Sequence, residues 1–188
     1  MKKAEVQPGF GRTGKNFWGF EADDLVPDIV TMGKPMGNGH PIAGVVTRRD
    51  LVEDFSKKAH YFNTFGGNPV SCAAGLAVLD IIARENLQQN ALELGQYIVD
   101  GLWKLAKEHD CIGDVRGSGL FLALELVSDR GARMPATELA ARVVESLRER
   151  GVLTGCIGSD FNILKLRSPM TLSRNNAEYF LSALKDSL

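Results

Sequence analysis

Lys34 is the one charged side chain between Asp28 and Arg48. It stands in the stretch Asp28-Ile29-Val30-Thr31-Met32-Gly33-Lys34-Pro35-Met36-Gly37-Asn38-Gly39-His40-Pro41-Ile42-Ala43-Gly44-Val45-Val46, in which a β-branched run, a glycine- and proline-rich loop and a second apolar run follow one another. A lone amine between two runs that read as buried strands is not how a solvated lysine is usually placed. An amine kept from water holds its proton less firmly, and the neutral form attacks aldehydes to make a Schiff base.

The neighbours suit that chemistry. Gly33, Gly37 and Gly39 let the backbone approach a flat ring, and Pro35 and Pro41 stiffen the loop. On this reading Lys34 is a covalent anchor for pyridoxal 5'-phosphate. Taken alone, the stretch is equally well a Gly/Pro turn whose lysine reaches solvent.

Two other glycine motifs are set aside. Gly9-Phe10-Gly11-Arg12-Thr13-Gly14 has the spacing of a dinucleotide fingerprint, but Asn16-Phe17-Trp18-Gly19-Phe20 follows it without a helical period. A glycine loop with aromatics over a pocket is the simpler reading, with Arg12 at the mouth as a substrate-anion candidate or as one half of a loop salt bridge. Trp18 and Phe20 wall the pocket or simply pack. Gly33-Lys34 is no P-loop, because Pro35 stands where a magnesium-ligating hydroxyl is needed.

Thr64 lies in Tyr61-Phe62-Asn63-Thr64-Phe65-Gly66-Gly67-Asn68-Pro69. Asn68 and Pro69 read as the N-cap and first residue of a helix over Val70 to Arg84, apolar almost all round and therefore expected to be buried on most sides. A hydroxyl and free amides ahead of a helix N-terminus suit a phosphate, although a threonine bonded within its own loop is the commoner case. His40 reads as a loop residue capping the strand or stacking near a cofactor, and His60 and His109 receive no role.

The elements that must position these groups follow in order. Glu5-Val6-Gln7 looks like a strand end, and Asp50 to Lys58 like a short helix. Leu87, Ala91, Leu94, Ile98, Leu102 and Leu105 mark one face of a long helix reaching about His109. Strands are expected at Ile112 to Arg116, Leu120 to Val127, Val152 to Thr154 and Asn162 to Arg167, with Ser128 to Pro135 a polar turn. Leu139, Val143 and Leu147 line a helix that Gly151 ends, and a last helix capped by Ser173 buries Ala177, Phe180, Leu181 and Leu184. The domains expected are 1–84, a glycine-rich α/β piece resembling part of a larger domain; 85–110, a connecting helix; and 111–188, a small α+β domain with helices on one face of its sheet.

Composition sets the bounds. The chain has 188 residues, 44% hydrophobic and 24% charged, with a net charge of −1, which leaves no electrostatic footprint for nucleic acid or an anionic membrane. No apolar run has membrane-spanning length, and no signal-peptide core follows Met1. Cys72, Cys111 and Cys156 have no metal-type spacing, so no metal is expected, and they suggest a reducing, cytoplasmic setting.

Taken together, Glu5-Val6-Gln7 with Gly9-Phe10-Gly11-Arg12-Thr13-Gly14, the Lys34 stretch, and Asn63-Thr64-Phe65-Gly66-Gly67-Asn68-Pro69 resemble the C-terminal half of a class III (omega-type) pyridoxal-phosphate aminotransferase. The resemblance implies a partial fold type I large domain followed by a small α+β C-terminal domain. It implies that Lys34 forms the internal aldimine and shuttles the proton between substrate and cofactor, that Gln7 bonds the ring 3'-oxygen, and that Thr64 binds the phosphate of a neighbouring subunit, the site being shared across a homodimer. Lys165 falls where many members carry an arginine for a substrate carboxylate, and Arg167 would share its face, both being otherwise a basic strand edge. The family's aspartate before Glu-Val-Gln is Ala4 here, and its N-terminal half, with a glycine loop and a stacking aromatic, is not represented. The chain alone is therefore expected to be inactive.

The activity implied is transfer of an amino group from an amine or ω-amino acid to an oxo-acid. The flavour of residues 32–41 and Lys165 resembles the amino-alkyl-phosphate phospholyases, which keeps that reaction as the alternative. A non-catalytic folded fragment with a dimerisation surface is the third reading.

Overall fold

A computed structural model describes residues 1–188. The chain divides into two units, Met1–Gln88 and Gln89–Leu188. The family resemblance's mixed α/β architecture is present.

The first unit is built on three strands. β1 (Lys2–Ala4) runs parallel to β2 (Ile29–Met32), and β3 (Gly44–Thr47) lies antiparallel on the other side of β2. Backbone pairing continues one residue past β1, where the Glu5 N–H donates to the Thr31 carbonyl at 2.8 Å. Helix α1 (Arg49–Lys58) follows β3, and α2 (Pro69–Arg84) begins as its signals indicate, with the Asn68 side chain accepting from the Ser71 N–H at 2.9 Å.

Two expectations fail in this unit. α2 buries only Ser71, Gly75 and Ile82, a narrow stripe along one face, while Val70 and Leu76 are 69% and 65% exposed. The strands flanking Lys34 are not both buried either, since Val45 and Val46 of β3 face solvent. The apolar patterns are present but do not translate into burial, because nothing within this chain covers these faces. Phe10, Ile82 and Leu87 are the unit's buried apolar side chains of any size.

The second unit has a core of its own. Helix α3 (Leu87–Glu108) crosses from one unit to the next and carries the expected stripe, buried from Ala91 through Leu105. β4 (Ile112–Ser118) and β5 (Phe121–Asp129) form a hairpin, and the sheet order is β4-β5-β8-β7, where β7 is Cys156–Ile157 and β8 is Ile163–Leu166. All its pairings are antiparallel. Leu122, Leu124 and Leu126 alternate inward against Val143 and Leu147 of α4 (Thr137–Glu149) and Ala177 and Leu184 of α5 (Arg174–Lys185). Gly151, at φ +77°, ends the turn after α4, and the Ser173 hydroxyl caps α5.

Small departures have local causes. The strand expected over Val152 to Thr154 is an irregular approach, and pairing starts at Cys156. The polar turn after β5 returns as a two-residue strand, β6 (Met134–Pro135), on β5 itself. Phe180 and Leu181 are only partly buried, and Ala183 takes a core place instead.

Candidate active site

Strand direction brings two of the expected residues to one edge. β1 and β2 are parallel, so the residues just past their carboxyl ends, Gln7 and Lys34, emerge on the same side of the sheet, the side on which open α/β sheets bind ligands. Lys34 opens a short 3-10 turn, Lys34–Met36, with φ +26°, an unusual value for a side chain with a Cβ. Its side chain is exposed, as is that of Gln7, so within this chain the amine is not kept from water as the flanking apolar runs predict, because those runs are themselves uncovered. A Cβ added at Gly33 would meet only Val6 Cγ1, at 3.8 Å, in ordinary contact.

Beyond Lys34 the loop is wound by successive backbone bonds: Met36 N–H to Gly33 O at 2.8 Å, Asn38 N–H to Pro35 O at 3.2 Å, and His40 N–H to Gly37 O at 3.0 Å. Gly37 is required here, because a Cβ would lie 2.2 Å from the His40 carbonyl oxygen. His40 does not cap the strand. Its Nε2 meets Ser71 Oγ of α2 at 2.8 Å, a partnership that local sequence spacing does not reveal.

Glu5 is a second residue whose part was not foreseen. Its carboxylate, 2% exposed, accepts the Gly19 N–H at 2.8 Å and the Phe20 N–H at 3.1 Å. These bonds close residues 9–20 into a loop packed on Phe10, whose ring lies 5.2 Å from Trp18 and 5.8 Å from Phe17. The aromatics therefore form the inside of their own loop. Arg12 is half-buried within it, and burial pulls its guanidinium down from the ordinary arginine value.

Thr64 is exposed in a turn fixed by Asn63, whose Oδ1 accepts from Phe65 N–H at 3.1 Å and Gly66 N–H at 2.9 Å. Tyr61, Phe62 and Phe65 around it are all 70% exposed or more. Lys165 and Arg167 belong to the other unit, where they line a cavity of about 470 Å³ with Thr154, Asn176, Tyr179 and Phe180. Arg167 Nη1 donates to the carbonyls of Leu122 (2.6 Å) and Leu166 (2.9 Å), and its guanidinium lies 3.4 Å over the Phe121 ring. Those contacts hold the cavity wall together. Lys165 engages through its backbone, N–H to Gly155 O at 2.8 Å and O from Thr154 Oγ1 at 3.0 Å, and its ammonium makes no salt bridge.

A lysine and an amide thus stand at the carboxyl edge of a parallel strand pair, with a glycine-wound loop after the lysine. The sequence profile of the class III aminotransferases matches residues 4–188, and the chain belongs to that family. Among curated proteins it is 47% identical over 186 residues to "Alanine--glyoxylate aminotransferase 2-like" of Drosophila melanogaster, covering 98% of this chain and 38% of that protein. It is 43% identical over 187 residues to "Ethanolamine-phosphate phospho-lyase homolog 1" of Caenorhabditis elegans, covering 98% of this chain and 40% of that protein. Among solved structures, a phospholyase from Arthrobacter in complex with phosphoethanolamine superimposes with a TM-score of 0.95 at 46% identity, over 99% of this chain and 44% of that one. The chain thus spans about two fifths of the length of the relatives it matches.

Class III aminotransferases depend on pyridoxal 5'-phosphate. The residues here suit that group in kind, with an exposed amine at Lys34 and an exposed amide at Gln7, while Ala4, where the resemblance implies an aspartate, is exposed and paired in register with Thr31.

Proposed function

We propose that the protein containing this chain is a pyridoxal-phosphate-dependent aminotransferase that moves an amino group from a primary amine or ω-amino acid to an oxo-acid. The observation that supports this reading is the position of Gln7 and Lys34 just past the carboxyl ends of the parallel strands β1 and β2. When bound, the cofactor supplies an electron sink for the bond broken at the substrate α-carbon. Lys34 Nζ would hold the cofactor through its aldehyde and, once released, would carry the substrate proton. Gln7 would donate its amide N–H to the cofactor ring. Thr64 would donate its hydroxyl to the phosphate held by a second copy of the chain.

A homodimer is part of this reading. Val70, Leu76, Tyr61, Phe62 and Phe65 leave a large apolar surface uncovered beside Thr64, and surfaces of that kind mark association sites. Full burial of one such side chain is worth about 1.5–3 kcal/mol, so a handful of them rivals the whole stability of a small domain, about 5–15 kcal/mol. The remaining length seen in relatives and a second copy would share the covering.

A second reading is favoured by one observation. The cavity in the second unit presents Lys165, a point charge with no acidic partner, where the family resemblance places an arginine, and a lysine lacks the bidentate fork that selects a planar carboxylate. That suits an amino-alkyl phosphate and elimination of phosphate and ammonia. The test is direct: the protein as expressed from its natural reading frame is given phosphoethanolamine and assayed for phosphate, and given an amine with pyruvate and assayed for alanine. Alanine without phosphate supports transamination, phosphate without an oxo-acid requirement supports the lyase, and neither product sinks both.

A further inference from the structure

We propose that His40 and Ser71 are positioning residues, a clamp that fixes the Lys34 loop to the N-terminus of α2 and thereby to the segment that carries Thr64. The proposal rests on the reading of Lys34 as the cofactor anchor and adds to it a pair of residues that touch neither cofactor nor substrate.

Each hydrogen-bonding position of the Ser71 hydroxyl is used. Its Oγ faces His40 Nε2 at 2.8 Å, Asn68 Nδ2 at 2.9 Å and the Pro41 carbonyl at 3.4 Å. A serine hydroxyl has one proton and two lone pairs. The Asn68 amide nitrogen donates to the hydroxyl, which leaves its proton and one lone pair to serve His40 Nε2 and the Pro41 carbonyl, the His40 tautomer setting which of the two takes the proton. The same Asn68 amide nitrogen donates to the Phe65 carbonyl at 2.8 Å, and its oxygen accepts the Ser71 N–H at 2.9 Å. One unbroken chain of bonds therefore runs from Phe65, next to Thr64, through Asn68 and Ser71 to His40 and Pro41.

Ser71 is 8% exposed, so its bonds are sheltered from competing water. Behind it, α2 approaches the loop closely: a Cβ on Gly75 would rest 3.5 Å from Ile42 Cδ1 and 3.7 Å from the Met36 carbonyl oxygen. At the other end of the loop Lys34 and Asn38 hold positive φ, +26° and +45°. Such conformations persist only where the surroundings over-determine them, and the three wound turns from Gly33 to His40 need a fixed far end to do so. The His40–Ser71 bond supplies it. Without it the loop can unwind, and the amine leaves the position from which it meets an aldehyde.

The test uses the protein from its natural reading frame and pyridoxal 5'-phosphate. Covalent attachment at Lys34 is followed by near-visible absorbance and located by borohydride trapping and peptide mapping, with thermal unfolding recorded alongside. His40→Leu and Ser71→Ala are each expected to slow attachment about tenfold, in line with the cost of a small misplacement. The double variant should be no slower than Ser71→Ala, in which the bond to His40 is already lost. His40→Gln, which can present an amide N–H where Nε2 stands, should recover most of the rate, a rescue that a mere loss of packing would not show. Rates within twofold of the parent in both single variants, multiplicative effects in the double, or a Gln variant as slow as Leu overturn the clamp. A parent protein that never labels at Lys34 overturns the reading of function and the clamp with it, whereas normal parental labelling with indifferent variants overturns the clamp alone.

Discussion

The Glu5 carboxylate and the Gly19 amide meet at 2.8 Å across fourteen residues of chain, and the same carboxylate takes the Phe20 amide at 3.1 Å. This part-buried pair of bonds joins the end of β1 to the loop that follows it. Glu5→Ala leaves two amides without their acceptor, at a cost of about 1–3 kcal/mol for each group that water does not reach. Glu5→Gln keeps one acceptor oxygen and should fall between. Hydrogen exchange at Gly19 and Phe20 reports the effect directly, and unchanged protection in Glu5→Ala would contradict it.

The sequence made the second unit legible because its patterns close on themselves. The leucines of β5 and the α3 stripe find their partners within residues 89–188, so period and burial agree. The first unit was legible in its motifs and not in its burial, since α2 is apolar on faces that nothing in this chain covers. Glu5 and His40 were missed for a different reason. Their partners lie 14 and 31 residues away, and no local spacing connects a loop histidine to a serine one turn into a distant helix.

Gly37 and Gly39 are two residues apart and should respond differently to alanine. A Cβ on Gly37 would overlap the His40 carbonyl oxygen at 2.2 Å and Ile42 Cγ2 at 2.6 Å, so the loop must open. Gly39 has φ +106° but open space around it, and alanine there carries only backbone strain, about 1–3 kcal/mol. Gly37→Ala is therefore expected to abolish or strongly slow cofactor attachment at Lys34, and Gly39→Ala to slow it modestly. Equal effects would show that the tight contact at Gly37 does not govern the lysine.

Core and surface leucines separate stability from association. Leu124 is fully buried in the second unit, and Leu124→Ala should cost about 2–5 kcal/mol, read from denaturant unfolding. Leu76, 65% exposed on α2, should tolerate Leu76→Glu with a change within about 0.5 kcal/mol in the unassembled chain, while the charge blocks burial of that face. Sedimentation would then show loss of a dimer. An assembly of unchanged mass in Leu76→Glu means that this face of α2 is not the interface.

The Glu108 and Lys185 side chains meet at 2.7 Å on the surface, joining the end of α3 to α5. The hydrogen bond first, and the charge attraction second, hold the Glu108 carboxyl below its ordinary value and lift the Lys185 ammonium above its own. The stabilisation from Glu108 is complete above the unfolded carboxylate value and disappears as pH falls through the lowered folded one. The contribution from Lys185 is complete below the unfolded lysine value and disappears as pH rises through the raised folded one. Lys185→Met should thus be less stable than the parent near neutrality, by a margin that shrinks below about pH 4 and in about 1 M salt. A difference indifferent to both would mean that the lysine acts through packing.

Ala4 offers the sharpest probe of where the cofactor ring lies. It is exposed at the end of β1, next to buried Glu5, and pairs in register with Thr31 of the strand that leads to Lys34. Class III members, by the resemblance, carry an aspartate here to keep the ring nitrogen protonated, and an opposite charge at hydrogen-bond distance favours the protonated form. Ala4→Asp places a carboxylate on an exposed position where it costs little to solvate. It should tighten pyridoxal 5'-phosphate binding about tenfold or more, since a charge-assisted hydrogen bond contributes roughly 1.5–3 kcal/mol, and should leave the unfolding curve of the cofactor-free protein unchanged. Asn at the same position has no charge to hold the proton and should gain little. If Asp and Asn behave alike, the ring nitrogen is not beside residue 4, and the placement of Lys34 and Gln7 around a common ring must be redrawn.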